Sequence, residues 1–241
     1  MTESIYALAF GAHPDDVEIS CAATLLKLSR EQKSVVVCDL TEGEMGTRGT
    51  RARRRKEANA AATALGYKAR VNLNLGDTTF DLSRKNMLKV IAVIRAYRPL
   101  VVLAPQPVER HPDHERAADL IKQACFYAGL RKIETKQNGK HQERHRPKFL
   151  LHYLQDKFIA PSFIVDVSDT FEESRAGLLA FKSQFYNPNS KEPESYLTRK
   201  EFLLALEARA TYFGELIGVR YGEGFLATNP LGVPVFSDLF R

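Results

Sequence analysis

Two short stretches of this 241-residue chain gather side chains that can bind a metal ion or move a proton: His13-Pro14-Asp15-Asp16 and His111-Pro112-Asp113-His114. A helix cap accounts for one Asp at a strand-to-helix turn. It does not account for two carboxylates with an imidazole beside them. A single His is more often a surface or satisfied core residue than a ligand, but two His-Pro-Asp turns closing two apolar runs are hard to obtain that way. His13, Asp16 and one His of the second cluster would give three N/O ligands and leave one position for water, as in a catalytic zinc site. His and Asp ligands accept several divalent ions, so the set does not by itself choose zinc.

These side chains need elements that bring them to one place. The apolar run 5–10 predicts a buried strand ahead of the first cluster, and 19–28 a helix after it. A second strand is expected at 34–41, followed by a loop with three glycines, Glu42 to Gly49. Thr50 then caps a helix that runs to Leu65, with Gly66 as its stop. Further strands are expected at 70–75 and 100–104, separated by a helix capped by Ser83, and a helix follows the second cluster to Ala128. Strand and helix thus alternate four times. That order predicts an α/β, Rossmann-like, mostly parallel sheet flanked by helices in a single domain, 1–241. If the first and fourth strands are neighbours, both clusters flank the point where strand order reverses, at the carboxyl edge where such sheets bind ligands.

Later in the chain, 129–146 reads as a basic loop. Strands are expected at 149–154 and 162–167, with a helix capped by Ser168 or Asp169 after the second. A turn-rich loop at 184–195 and a last helix at 197–213 follow. The tail, with four glycines and two prolines after residue 217, reads as having little regular structure.

Composition narrows the functional classes. With 44% hydrophobic residues the chain can bury a sizeable core, and no apolar run approaches the ~20 residues of a spanning helix. The start reads as lacking a secretory leader, and Cys21, Cys38 and Cys125 read as buried free thiols, so a cytoplasmic enzyme is expected. The net charge of +6 is concentrated in 48–56 and 132–148, without stacking aromatics or a nucleic-acid motif, so no nucleic-acid partner is expected. Arg51, Arg53, Arg54, Arg55 and Lys56 are unfavourable charges for a helix start, which points to something negative nearby.

The chain resembles the LmbE-like, or PIG-L-type, zinc-dependent N-deacetylases. The resemblance rests on Ala12-His13-Pro14-Asp15-Asp16, Thr41-Glu42-Gly43-Glu44, Arg54-Arg55-Lys56-Glu57 and His111-Pro112-Asp113-His114. Glu44 to Gly49 and Ser183 to Pro188 are most similar to the bacillithiol-pathway branch of that family. The resemblance implies one Zn2+ per chain held by His13, Asp16 and His114, with Asp15 as general base. It implies a protonated His111 that stabilises the developing oxyanion or donates a proton, and an Asp113 that orients a histidine. Arg54 is expected to contact substrate, with Arg110 and Arg48 behind it and Tyr196 adding a hydrogen bond. The implied substrate is a small, anionic amino sugar, N-acetylglucosaminyl-malate, with free N-acetylglucosamine or a chitooligosaccharide as the alternative. A homo-oligomer with the apolar tail as an interface, and no membrane partner, complete the expectation. A non-catalytic nucleotide- or nucleic-acid-binding Rossmann-like domain is the remaining reading, weakened by the lack of Gly-x-Gly-x-x-Gly.

Overall fold

The computed structural model describes residues 4–232. In chain order the elements are β1 (Ala7–Gly11), α1 (Asp16–Ser20), α2 (Ala22–Arg30), β2 (Val35–Asp39), α3 (Arg51–Ala64), β3 (Ala69–Asn72), α4 (Arg84–Tyr97), β4 (Val101–Pro105), α5 (Pro112–Ala128), β5 (Lys136–Gln137), β6 (Lys140–His141), β7 (Phe149–Tyr153), β8 (Phe163–Asp166), α6 (Phe171–Leu179), α7 (Lys200–Leu216) and β9 (Gly222–Ala227). β5 and β6 form a small separate hairpin. The other seven strands form one sheet in the order β3-β2-β1-β4-β7-β9-β8. The expected α/β, mostly parallel sheet flanked by helices is what the chain adopts. β3 to β7 are joined by parallel pairings, and β9 runs antiparallel to both its neighbours.

The central strands are covered on both faces, which is why they read as unbroken apolar runs. Side chains alternate across the pleat. Leu8 and Phe10 join Val36, Cys38, Val102 and Ala104 under α4 and α5. Ala7 and Ala9 join Val35, Val37 and Leu103 against Leu25 and Leu26 of α2. β1 pairs directly with β4, Ala7 opposite Val101 and Ala9 opposite Leu103, so the loops leaving their carboxyl ends face each other.

Four local expectations are corrected. The first helix is two, broken at Cys21 (φ −147°), and the amides of Ala23 and Thr24 at the new start are satisfied by the Glu223 carboxylate. α5 begins at Pro112, so Asp113 and His114 lie on its first turn and His111 is its cap. Thr170, and not Ser168 or Asp169, is the N-cap of α6. The tail expected to lack regular structure supplies β9, inserted between β7 and β8. Its glycines hid it: they remove the side-chain signal, yet they are what let α7 pack down. A Cβ at Gly222 would lie 2.9 Å from the Phe213 backbone carbonyl carbon. The tail was also expected to form an oligomer interface, and its end, 233–241, lies outside the described residues.

All three cysteines are free and buried, as their contexts predict, and burial pushes the Cys125 thiol up to about 12. Among the described residues no helix is long and apolar enough to cross a membrane.

Candidate metal centre and active site

The turn after β1 is forced to be tight. A Cβ on Gly11 would sit 2.7 Å from the His13 carbonyl oxygen, so glycine alone lets the chain reverse there. Asp15 follows with φ 119°, a left-handed conformation that costs a non-glycine residue energy and must be held by its surroundings. The turn presents Asp15 and Asp16 separately. Asp16 Oδ2 accepts from the His13 backbone N–H at 2.8 Å, while Asp15 turns to Arg54.

Asp16, His13 and His114 converge. His114 Nε2 is 3.2 Å from Asp16 Oδ1, and His13 Nδ1 is 3.5 Å from Asp16 Oδ2. Donors arranged tetrahedrally about a zinc ion at about 2.0–2.1 Å stand roughly 3.3 Å from one another, so this spacing suits such an ion. His13 Nε2, the nitrogen pointing away from that centre, lies 3.0 Å from Asp77 Oδ1 and 3.4 Å from Asp113 Oδ2. A carboxylate behind a histidine in this way fixes its ring and raises its basicity toward a metal. The remaining contact to Asp16 comes from Gln155 Nε2 at 3.3 Å.

The electrostatics describe a centre that wants a cation. Burial opposes the charged form of His13, but Asp113, Asp16 and Asp77 outweigh it and hold its pKa well above the ordinary value. Burial likewise opposes ionised Asp16, and His114 and His13 override it, holding the carboxyl well below its usual range. Burial opposes ionised Asp113 as well, yet His13 and the Thr78 N–H bring it down to about 2. Asp15 goes the other way. Burial and the neighbouring Asp16 raise it to about 7 against the pull of Arg54.

His111 stands above the centre, its ring centroid 4.8 Å from that of His13 and 5.0 Å from that of His114. Its Nδ1 accepts from the Asp113 N–H, which assigns the proton of the neutral ring to Nε2. Burial and the two neighbouring histidines lower its pKa. The same groups that favour a metal at His13 and His114 thus oppose charge on His111.

These groups line a pocket of about 280 Å³ together with Arg54, Arg110, Gln155 and Tyr196. Arg54 is buried, donating to Asp15 Oδ2 at 3.0 Å, to the Pro14 carbonyl and to the Gly43 carbonyl. The negative charge that the basic start of α3 called for is the protein's own: Arg54 meets Asp15, Arg51 and Arg55 meet Glu42, and Arg53 meets Glu57. Arg48, by contrast, does not line the pocket. It crosses to a later loop, Nε donating to the Pro193 carbonyl at 2.5 Å and Nη2 to the Glu192 carbonyl at 2.8 Å. Arg110 pairs with Asp156 at 2.9 Å and lies 4.1 Å over the Tyr196 ring at the pocket rim. Asp77, Gln155 and the bridging role of Arg48 had escaped sequence reasoning. Asp77 carried a usable signal, since Gly76-Asp77-Thr78 closes β3 at the same sheet edge.

The chain matches the PIG-L family model, described as GlcNAc-PI de-N-acetylase, over residues 8–125. It is 32% identical over 227 residues to the diacetylchitobiose deacetylase of Thermococcus kodakarensis, covering 90% of this chain and 80% of that one. Among solved structures it is similar to the conserved protein TT1542 of Thermus thermophilus, with TM-score 0.84, 35% identity, and coverage of 95% and 98% of the two chains. It is also similar to the N,N'-diacetylchitobiose deacetylase of Pyrococcus horikoshii, with TM-score 0.79, 29% identity, and coverage of 99% and 90%. With His13, Asp16 and His114 gathered in one turn-and-helix site and this likeness along nearly its whole length, the chain belongs to the PIG-L, or LmbE-like, family of N-deacetylases.

Proposed function

We propose that the protein removes the N-acetyl group from N-acetylglucosamine units of a small, uncharged chitin-type saccharide. The observation that carries the chemistry is the convergence of His13, Asp16 and His114 beside a separately held Asp15 in one open pocket. A zinc ion held by those three ligands would supply a Lewis acid and lower the pKa of a bound water toward about 7. Asp15, raised to about 7, is poised to take the proton of the water that attacks the acetamide carbonyl. Arg54 fixes the carboxylate for that transfer. The Nε2–H of His111 donates to the carbonyl oxygen as it gains charge. Asp15 then returns its proton to the nitrogen as the C–N bond breaks, releasing acetate and a free amine.

The substrate choice rests on the arginines. Of the two that line the pocket, Arg54 is committed to Asp15 and Arg110 to Asp156, which leaves neither uncommitted for a malate carboxylate. The two diacetylchitobiose deacetylases among the relatives support the same choice. Within the pocket, the half-exposed side chain of Arg110 is the feature that favours the malate conjugate.

The test is acetate release by the zinc-loaded protein from N,N'-diacetylchitobiose, N-acetylglucosamine and N-acetylglucosaminyl-malate. The disaccharide is expected to be turned over best, and a clear preference for the malate conjugate would reverse the substrate assignment. His114→Ala should lose metal and turnover together. Asp15→Asn should keep its metal and lose about 10²- to 10⁴-fold in turnover. Full activity in both variants would sink the mechanism.

A further inference from the structure

A second groove, of about 290 Å³, adjoins the candidate pocket. The two share Gln155, Asp156 and Tyr196 in their linings. Its edge carries rings that a soluble protein has reason to hide: Phe158 is 68% exposed, Tyr212 47% and Tyr196 41%. They are set in place. Phe158 and Tyr212 meet edge to face at 5.8 Å, and Tyr196 is held between the guanidinium groups of Arg110 and Arg199 at 4.1 and 4.5 Å. The groove's charges are of mixed sign and partly spent, for Arg209 is turned inward onto the Ile19 and Gln155 carbonyls and Asp156 is paired with Arg110.

Exposed aromatic faces beside a few hydrogen-bonding groups suit a ligand with flat apolar faces and a polar rim. A pyranose ring has that shape, its C–H groups on the faces and its hydroxyls around the edge. We propose that this groove is an extended sugar-binding site, taking the further uncharged amino-sugar units of a chain whose terminal acetamide lies against Asp15. The occupant is thus a chitooligosaccharide longer than the disaccharide, with Phe158 and Tyr212 as its platform. The inference rests on the amino-sugar deacetylase reading given above.

The test compares fully acetylated chitopentaose with diacetylchitobiose. With the metal-loaded enzyme, the pentasaccharide should have the higher kcat/KM. Phe158→Ala should lower the pentasaccharide-to-disaccharide ratio about tenfold, chiefly through KM, and Phe158→Tyr should restore it. Calorimetry with the Asp15→Asn protein gives a readout free of turnover. Pentasaccharide affinity should fall by a similar factor when Phe158→Ala is added. An unchanged ratio, or an equal loss on both lengths, overturns the groove. So does a change in oligomeric state of Phe158→Ala by light scattering, which would assign this face to a second copy of the chain. Absence of acetate release from every N-acetylglucosamine substrate overturns the deacetylase reading instead, and the groove's ligand with it.

Discussion

Arg54 Nη2 lies 3.0 Å from Asp15 Oδ2, and both side chains are closed off from solvent. The arginine is the cation in direct contact with that carboxylate, and it opposes the effect of burial there. Removing it leaves Asp15 buried beside Asp16 without that compensation, so its pKa must climb. In Arg54→Met the acid limb of the pH–rate profile should therefore move to higher pH, and turnover at pH 7 should fall about 100-fold while metal content is kept. An unmoved acid limb would mean that Asp15 is not the group whose ionisation turnover follows.

Asp77 should matter to metal affinity and not to the proton transfer. Its Oδ1 holds His13 Nε2 and its Oδ2 accepts from the Met45 N–H, so both carboxylate oxygens are taken by the protein. Asp77→Asn is expected to weaken metal binding about 10- to 100-fold. In saturating metal most of the turnover should return. Competition against a chromophoric chelator measures the first, and a metal titration of activity the second.

Arg48 ties the glycine-bearing loop after β2 to the loop that presents Tyr196. Its guanidinium donates to the carbonyls of Pro193 and Glu192, and its own carbonyl accepts from Gln184 Nε2 at 3.0 Å. Charged hydrogen bonds of this kind contribute about 1.5–3 kcal/mol. Arg48→Ala should raise KM more than it lowers kcat, and should open the 186–195 segment to limited proteolysis. Arg48→Lys should rescue only part of either effect, because an ammonium lacks the planar fork. Unchanged protease resistance in Arg48→Ala would show that the loop is held by other means.

His152 makes stability depend on acid. It is buried with Nδ1 2.6 Å from the Pro105 carbonyl oxygen, and burial and Lys122 lower its pKa despite that bond. The unfolded chain therefore binds the proton more readily than the folded one. The stability this gives is complete above about pH 6.5 and is lost as pH falls through the depressed folded value, at up to about 1.4 kcal/mol per pH unit. Thermal melts of metal-free protein between pH 7 and 5 should fall less steeply for His152→Asn than for the parent chain. Equal slopes would remove His152 from the acid response.

How far the sequence foretold this site follows from the range of each interaction. Residues 11–16 and 111–114 advertise themselves because several ionisable types are packed into one turn, and the apolar runs ahead of them predict the strands that carry them. The adjacency of β1 and β4 follows from the alternation of strand and helix. Asp77 and Gln155 are different. Each is a lone polar residue whose partner is 64 or 139 positions away, and only Asp77, in the turn that closes β3, had a local sign of its place. The arginines of α3 were legible as needing negative charge, but not as finding it in Asp15, Glu42 and Glu57. β9 was missed because the glycines that fit it under α7 also erase its alternation. The role expected of His111 came from resemblance, and only the geometry shows two other histidines packed beside its ring.

The sheet also divides the chain's labour by position. The groups assigned to bond breaking follow β1, β2 and β4 in the parallel half, within the span matched by the family model. Gln155, Phe158, Tyr196 and Tyr212 all come from the second half, around a β9 that runs against its neighbours. Gln155 is the exception that reaches across, to the ligand Asp16. Exchanging the segment beyond Gln155 between two relatives should therefore move any preference for a sugar while leaving the acetyl-removing groups where they were.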